Sequence, residues 1–70
     1  MIIQKAQFST GGFALHKITP PAGHGKISAW FDLDGGLIDA EYIDARGRSR
    51  PVKYSGKLWN ELCALGRIYK

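Results

Sequence analysis

The clearest pattern of apolar and polar positions lies in residues 26–43. Apolar side chains alternate with more polar ones there, on both sides of an Asp-Gly dipeptide. The apolar set is Ile27, Ala29, Phe31, Leu33, Ile38, Ala40 and Tyr42. A period of two is typical of strands with one buried face. The pattern therefore predicts a β-hairpin whose apolar face joins the core.

The turn residues suggest a register for this hairpin. Asp34-Gly35 favours a type I′ turn, in which both central residues have positive φ. A two-residue loop pairs Leu33 with Gly36 and brings apolar side chains opposite one another. The predicted apolar pairs are Phe31 with Ile38, Ala29 with Ala40, and Ile27 with Tyr42. The other face pairs Trp30 with Asp39 and Ser28 with Glu41, an aromatic and acidic surface.

Residues 2–25 predict a second hairpin and a loop. Residues 2–8 place Ile2, Ala6 and Phe8 on one face of a strand, and Ser9-Thr10-Gly11-Gly12 is typical of a turn. Residues 13–18 form the antiparallel partner. Two prolines and two glycines make residues 19–25 a connecting loop.

After a loop at residues 46–50, residues 51–54 are expected to return as a strand with Val52 and Tyr54 on the core side. Pro51 has no N–H donor, so this strand begins or lies at a sheet edge. Ser55 is the expected N-cap of a helix whose apolar stripe is Leu58, Leu62 and Leu65. Gly66 is expected to end the helix.

These elements predict an α+β fold: a small antiparallel β-sheet of four or five strands packed against one C-terminal α-helix, with residues 1–70 as a single domain. The β-β-β-α half resembles the small sheet-and-helix DNA-binding domains of tyrosine integrases and of certain plant transcription factors. The resemblance concerns architecture alone and implies no individual site residue.

Composition narrows the class of protein. Seventy residues suffice for one small core. Cys63 is the only cysteine, so an internal disulfide framework is excluded and a reducing compartment is favoured. The chain has neither a secretory pattern at its start nor the ~20 apolar residues that span a bilayer. We expect a complete, soluble cytoplasmic protein that does not bind membranes.

No motif predicts catalysis. Asp32-Leu33-Asp34-Gly35-Gly36 starts like a calcium loop, but Gly36 and Ile43 stand where that loop needs oxygen ligands. Ala22-Gly23-His24-Gly25-Lys26 lacks the first Gly and the final Ser or Thr of a phosphate-binding loop. His16, His24 and Cys63 have no metal-ligand spacing, and Cys63 borders the leucine stripe. The expectation is a non-enzymatic protein with no catalytic residue, metal or cofactor.

Charge is distributed unevenly along the chain, whose net charge is +4. Residues 1–31 carry three lysines and no acid, residues 32–44 carry five acids and no base, and residues 45–70 carry seven bases and one acid. The basic part is interleaved with Tyr54 and Trp59, as in many phosphate-binding surfaces. Its candidate nucleic-acid-binding residues are Arg46, Arg48, Arg50, Lys53 and Lys57.

Two functions follow as hypotheses. The leading one is a small binding module whose basic loop and edge contact nucleic acid or a nucleoprotein complex. The alternative is a modulator or inhibitor of a larger protein, of the kind carried by phages and plasmids, that acts through Trp30, Asp39 and Glu41. We expect the N-terminal hairpin to fold over and cover Trp30, whereas the alternative function needs Trp30 exposed as an anchor. Either sheet edge also allows a homodimer.

Overall fold

Five antiparallel strands and one helix make up the fold in a computed structural model, which describes residues 3–9, 11–20 and 25–70. Their bounds are β1 (Gln4–Gln7), β2 (Phe13–Ile18), β3 (Lys26–Phe31), β4 (Leu37–Ile43), β5 (Ser49–Pro51) and α1 (Lys57–Tyr69). The strands lie side by side in chain order. The predicted α+β class is confirmed, with five strands in the sheet.

The core lies between one sheet face and α1. Leu62 is 1% exposed and is the helix residue of the central cluster. Its partners from the sheet are Phe13, Leu15, Ile18, Ile27, Ala29, Phe31 and Ala40. Leu58 and Leu65, the other members of the predicted stripe, pack at the edge of this cluster. Lys5 Nζ donates a hydrogen bond to the Tyr69 carbonyl oxygen, which ties β1 to the end of α1.

Most of the predicted register of the central hairpin is confirmed. Four pairs match it: Ile27 with Tyr42, Ser28 with Glu41, Ala29 with Ala40, and Trp30 with Asp39. The two predicted pairs nearest the turn are wrong: Phe31 lies opposite Leu37 rather than Ile38, and Asp32 rather than Leu33 bonds to Gly36. Ile38 is the additional residue of a bulge, which reverses the alternation locally. Leu37 consequently packs against the core and Ile38 is 61% exposed.

The turn of this hairpin also differs from the prediction. Asp32 N–H donates to the Gly36 carbonyl at 2.9 Å and Gly35 N–H donates to the Asp32 carbonyl at 3.1 Å. The loop therefore has three residues and ends on Gly35 at φ 84°, whereas Asp34 has no positive φ. This geometry is a type I turn followed by a glycine bulge, not a type I′ turn. Leu33 leaves the strand and is 68% exposed.

The strand predicted at residues 51–54 begins and ends earlier than expected. Ser49 and Arg50 belong to β5 rather than to the preceding loop. β5 ends at Pro51 and lies at the sheet edge, where a residue without an N–H donor is tolerated. Val52 packs against the core as predicted. Tyr54 does not: it lies in the turn that follows and is exposed.

Both predicted ends of the helix are wrong. Gly56 rather than Ser55 is the N-cap, and its cap position makes no side-chain hydrogen bond. Gly66 is buried inside α1, which continues to Tyr69. A Cβ at Gly66 would lie 2.4 Å from the Gly35 carbonyl oxygen and 2.6 Å from the Phe31 ring. Glycine is needed there for close packing on the β3–β4 loop, not for a left-handed C-terminus.

The first hairpin is confirmed, with β1 and β2 antiparallel and Gln4 opposite His16. β1 is shorter than predicted, and Ala6 and Phe8 are exposed. The predictions for Ile2 and Thr10, and for most of the loop that contains His24, lie outside the described residues.

Candidate functional site

A groove with a mostly apolar lining, three of whose residues are basic, lies where β5 leaves the sheet and α1 begins. Val52 N–H donates to the Ala40 carbonyl at 3.1 Å, and Gly56 N–H donates to the Lys53 carbonyl at 3.2 Å, so the chain turns directly from the sheet edge into the helix. The groove encloses about 370 Å³. It is lined by Tyr42, Arg50, Pro51, Val52, Lys53, Gly56, Lys57 and Leu58. We call it the basic groove.

The structure brings three of the five predicted basic residues to this groove. Arg50 comes from β5, Lys53 from the turn, and Lys57 from the first helical position, and all three are exposed. Arg46 and Arg48 do not line it, since they lie on the β4–β5 loop at residues 44–48. The predicted set is thus divided into a groove group and a loop group.

The start of α1 adds to the positive character of the basic groove. Its first turn contains no acidic residue, and its N-cap contributes no side-chain hydrogen bond. The N-terminal end of a helix carries a partial positive charge and unpaired N–H groups that favour anions. Lys53 and Lys57 lie at this end. The positive charges of their side chains therefore add to the partial positive charge of the helix N-terminus.

Asp44 holds the loop that carries Arg46 and Arg48. Its Oδ1 accepts hydrogen bonds from Arg46 N–H and Arg48 N–H, both at 2.9 Å. Asp44 N–H donates to the Arg48 carbonyl at 2.9 Å, and Gly47 takes φ 83°. The carboxylate thus orders the loop backbone, while both arginines are exposed.

Tyr54 lies between the two groove lysines in sequence and is not one of the residues that line the groove. Its ring centroid lies 5.1 Å from that of Trp59 at an interplanar angle of 58°. Ser55 follows it at φ 61°, in the left-handed region that is unfavourable for a residue with a side chain. The sequence prediction placed Tyr54 in the core; the Ser55-Gly56 dipeptide, a common turn signal, indicated otherwise.

The second predicted site lies on the sheet face opposite α1. Register places Trp30 beside Asp39 and Ser28 beside Glu41. Trp30 is half-buried and makes an edge-to-face contact with His16, with ring centroids 6.0 Å apart. No helix or strand of the described residues covers this face, and the N-terminal hairpin lies beside Trp30 in the sheet rather than over it. We call this surface the open sheet face.

Two polar groups of the open sheet face have local hydrogen bonds. His16 Nδ1 and Ser28 Oγ are 2.9 Å apart, and Ser28 is only 7% exposed. A hydroxyl so enclosed is poorly placed as a nucleophile, so this bond links β2 to β3. Asp39 Oδ1 accepts a hydrogen bond from Ala40 N–H at 2.8 Å. Trp30 and Glu41 are therefore the better candidates for contacts with a partner.

The chain has no similarity that assigns it to a family: no protein-family model, curated protein or solved structure matches it. Within residues 3–9, 11–20 and 25–70, no three side chains of histidine, cysteine, aspartate or glutamate gather into a possible metal site. The helix that the structure describes is not long and apolar enough to cross a membrane.

Proposed function

We propose that the chain is a non-enzymatic nucleic-acid-binding module that contacts the phosphate backbone through the basic groove. The observation that carries the proposal is the convergence of Arg50, Lys53 and Lys57 on one groove at the start of α1. Phosphate is the anion best suited to such a site, because lysines supply point charges and arginine supplies paired N–H donors.

The loop group adjoins the groove group along the chain. Arg46 and Arg48 precede β5 on an ordered loop, and neither is buried. Contacts of this kind position a polyanion without reading its sequence. Binding is therefore expected to weaken steeply with salt, by a slope of roughly 0.7 to 0.9 in log K per log salt for each phosphate contact.

The test compares two charge-matched double variants by fluorescence anisotropy with labelled oligonucleotides. Lys53→Gln with Lys57→Gln removes two cations of the groove. Arg67→Gln with Lys70→Gln removes two exposed cations at the other end of the helix, about 15 Å away along its axis. The groove variant should lose about tenfold or more in affinity at low salt, together with part of the salt slope.

Equal losses in the two variants would overturn the groove assignment, since net charge alone would then explain binding. The loop group and the groove residue Arg50 are tested together by changing Arg46, Arg48 and Arg50 to glutamine. Unchanged nucleic-acid binding at low salt in that variant would show that the basic loop and edge are not the interface. Circular dichroism of each variant confirms that the fold is retained.

A second candidate function rests on the open sheet face. Trp30 is only half-buried there, and the adjacent Glu41 and Asp39 give the face a negative charge. An aromatic anchor beside acids suits a basic surface of a larger protein. In a pull-down, Trp30→Ala with Asp39→Lys should abolish capture of one defined partner, with Ile68→Ala on α1 as the control. Capture of the partner by the Trp30→Ala, Asp39→Lys variant would rule out this second function.

A further inference from the structure

Resting on the proposed nucleic-acid function, we propose that the ligand is single-stranded and that one unpaired base stacks on Tyr54 while the adjoining phosphates contact the exposed lysines of the basic groove. The first observation is the exposure of the ring. Tyr54 is 76% exposed, the highest value among the exposed large apolar residues of the described chain. Tyrosine combines a flat apolar ring with few rotamers, which suits it to a contact surface.

The second observation is that the exposed ring is held in place. Trp59, which supports it at 5.1 Å, itself packs against the core. The turn from Lys53 to Gly56 is closed by a backbone hydrogen bond and places Ser55 at φ 61°. Ser55 thus has an unfavourable backbone conformation, and the turn exposes the Tyr54 ring to solvent. Packing of the free protein requires neither feature.

The third observation is the position of Tyr54 in the chain, between two cations of the basic groove. Lys53 directly precedes Tyr54, and both Lys53 and Lys57 line the basic groove. Its volume of about 370 Å³ lies at the small end of ligand sites, ~300–1,000 Å³. A site of that size accommodates a nucleotide-sized group.

These features favour a single strand over a duplex. In a duplex both faces of each internal base are covered by neighbouring bases, so an external ring has no free face to stack on. In a single strand every base has an accessible face, and stacking on an aromatic side chain tolerates any sequence. Tyr54 would therefore add affinity for single strands and none for duplexes, whereas the lysines act on both.

The experiment measures anisotropy of labelled oligo(dT), oligo(U) and a duplex of the same length with the full chain. Wild type should bind both single strands more tightly than the duplex. Tyr54→Ala should weaken single-strand binding by about five- to 100-fold and leave duplex binding unchanged. Tyr54→Phe keeps the ring and should restore wild-type affinity, and Ile68→Ala, an exposed apolar residue of α1, is the matched control.

The outcomes separate this inference from the function on which it rests. Absence of binding to any oligonucleotide would overturn both. Binding that depends on Lys53 and Lys57 but is equal for single strands and duplex, and unchanged in Tyr54→Ala, would keep the proposed function and overturn the stacking inference. A preference for single strands over the duplex that Tyr54→Ala leaves intact would likewise overturn base stacking as its source.

Discussion

Loops 32–36 and 44–48 have one backbone design and different surroundings. Each begins with an aspartate whose Oδ1 accepts hydrogen bonds from two backbone N–H groups, and each has a glycine at its fourth position, Gly35 or Gly47, at φ near 84°. A Cβ at Gly35 would lie 2.7 Å from the Gly66 carbonyl oxygen of α1, whereas a Cβ at Gly47 would meet nothing within 4 Å. The helix covers Gly35 of the first loop and leaves Gly47 of the second loop free.

This difference shows how one local motif acquires two roles. The first loop carries no basic residue and supports the end of α1 through a close glycine contact. The second loop carries Arg46 and Arg48 and has both side chains in solvent. An Asp-x-x-Gly sequence orders its own backbone, so it needs no tertiary contact to present charged groups in a defined place.

The largest effect is expected where the two glycines meet. Gly66→Ala places a methyl group against the Gly35 carbonyl and the Phe31 ring, and should lower the free energy of unfolding by about 3 kcal/mol. Asn60→Ala, at an exposed position of α1, is the control and should be neutral or slightly stabilising. Urea denaturation measures both, and a Gly66→Ala protein as stable as wild type would mean that α1 does not pack on the first loop.

A smaller effect separates the two loop glycines directly. Gly47→Ala meets only the cost of a left-handed alanine, about 1 kcal/mol. Gly35→Ala has the same cost plus the contact with Gly66, so its loss of unfolding free energy should be about 1 to 2 kcal/mol greater. Equal losses at the two positions, measured in the same urea titration, would contradict the difference between covered and free loops.

The smallest difference is expected for the two aspartates. Asp32→Ala and Asp44→Ala each remove two hydrogen bonds of 2.8 to 2.9 Å from backbone N–H groups in an exposed loop. Each should cost about 1 kcal/mol, as loss of a helix N-cap does, and the two values should agree closely. A much larger loss for one of them would show that the loops are not equivalent locally. The thermal unfolding midpoint is a sufficient readout.

The fold was largely predictable because its signals are local. Alternation in residues 26–43 predicted β3 and β4 and four of their pairs correctly, since a buried face specifies register strongly. The turn prediction was wrong because it depended on the Asp34-Gly35 dipeptide alone. The side chain of the preceding Asp32 stabilises the longer, three-residue loop by accepting two backbone hydrogen bonds. The two-residue loop therefore predicted Ile38 on the buried face, whereas it is exposed.

The candidate site was predictable only in part. The basic residues were identified by charge alone, but charge along a chain does not say which side chains share a surface. Arg50, Lys53 and Lys57 meet because β5 stops at Pro51 and α1 begins six residues later. The prediction for Tyr54 was wrong because it assumed that the strand alternation continues from Val52 to Tyr54. β5 has only three residues and ends at Pro51.

The sequence by itself determined the α+β class, the antiparallel hairpins, the apolar stripe of α1 and the separation of acidic from basic segments. These depend on side-chain periodicity and on hydrogen bonds within a few residues. Only the tertiary structure decided that Gly66 is a contact point rather than a helix end, that Trp30 lies on an open face, and which cations line the groove. The reason is that such features arise from contacts between distant residues, and no local pattern encodes the distance between Gly35 and Gly66.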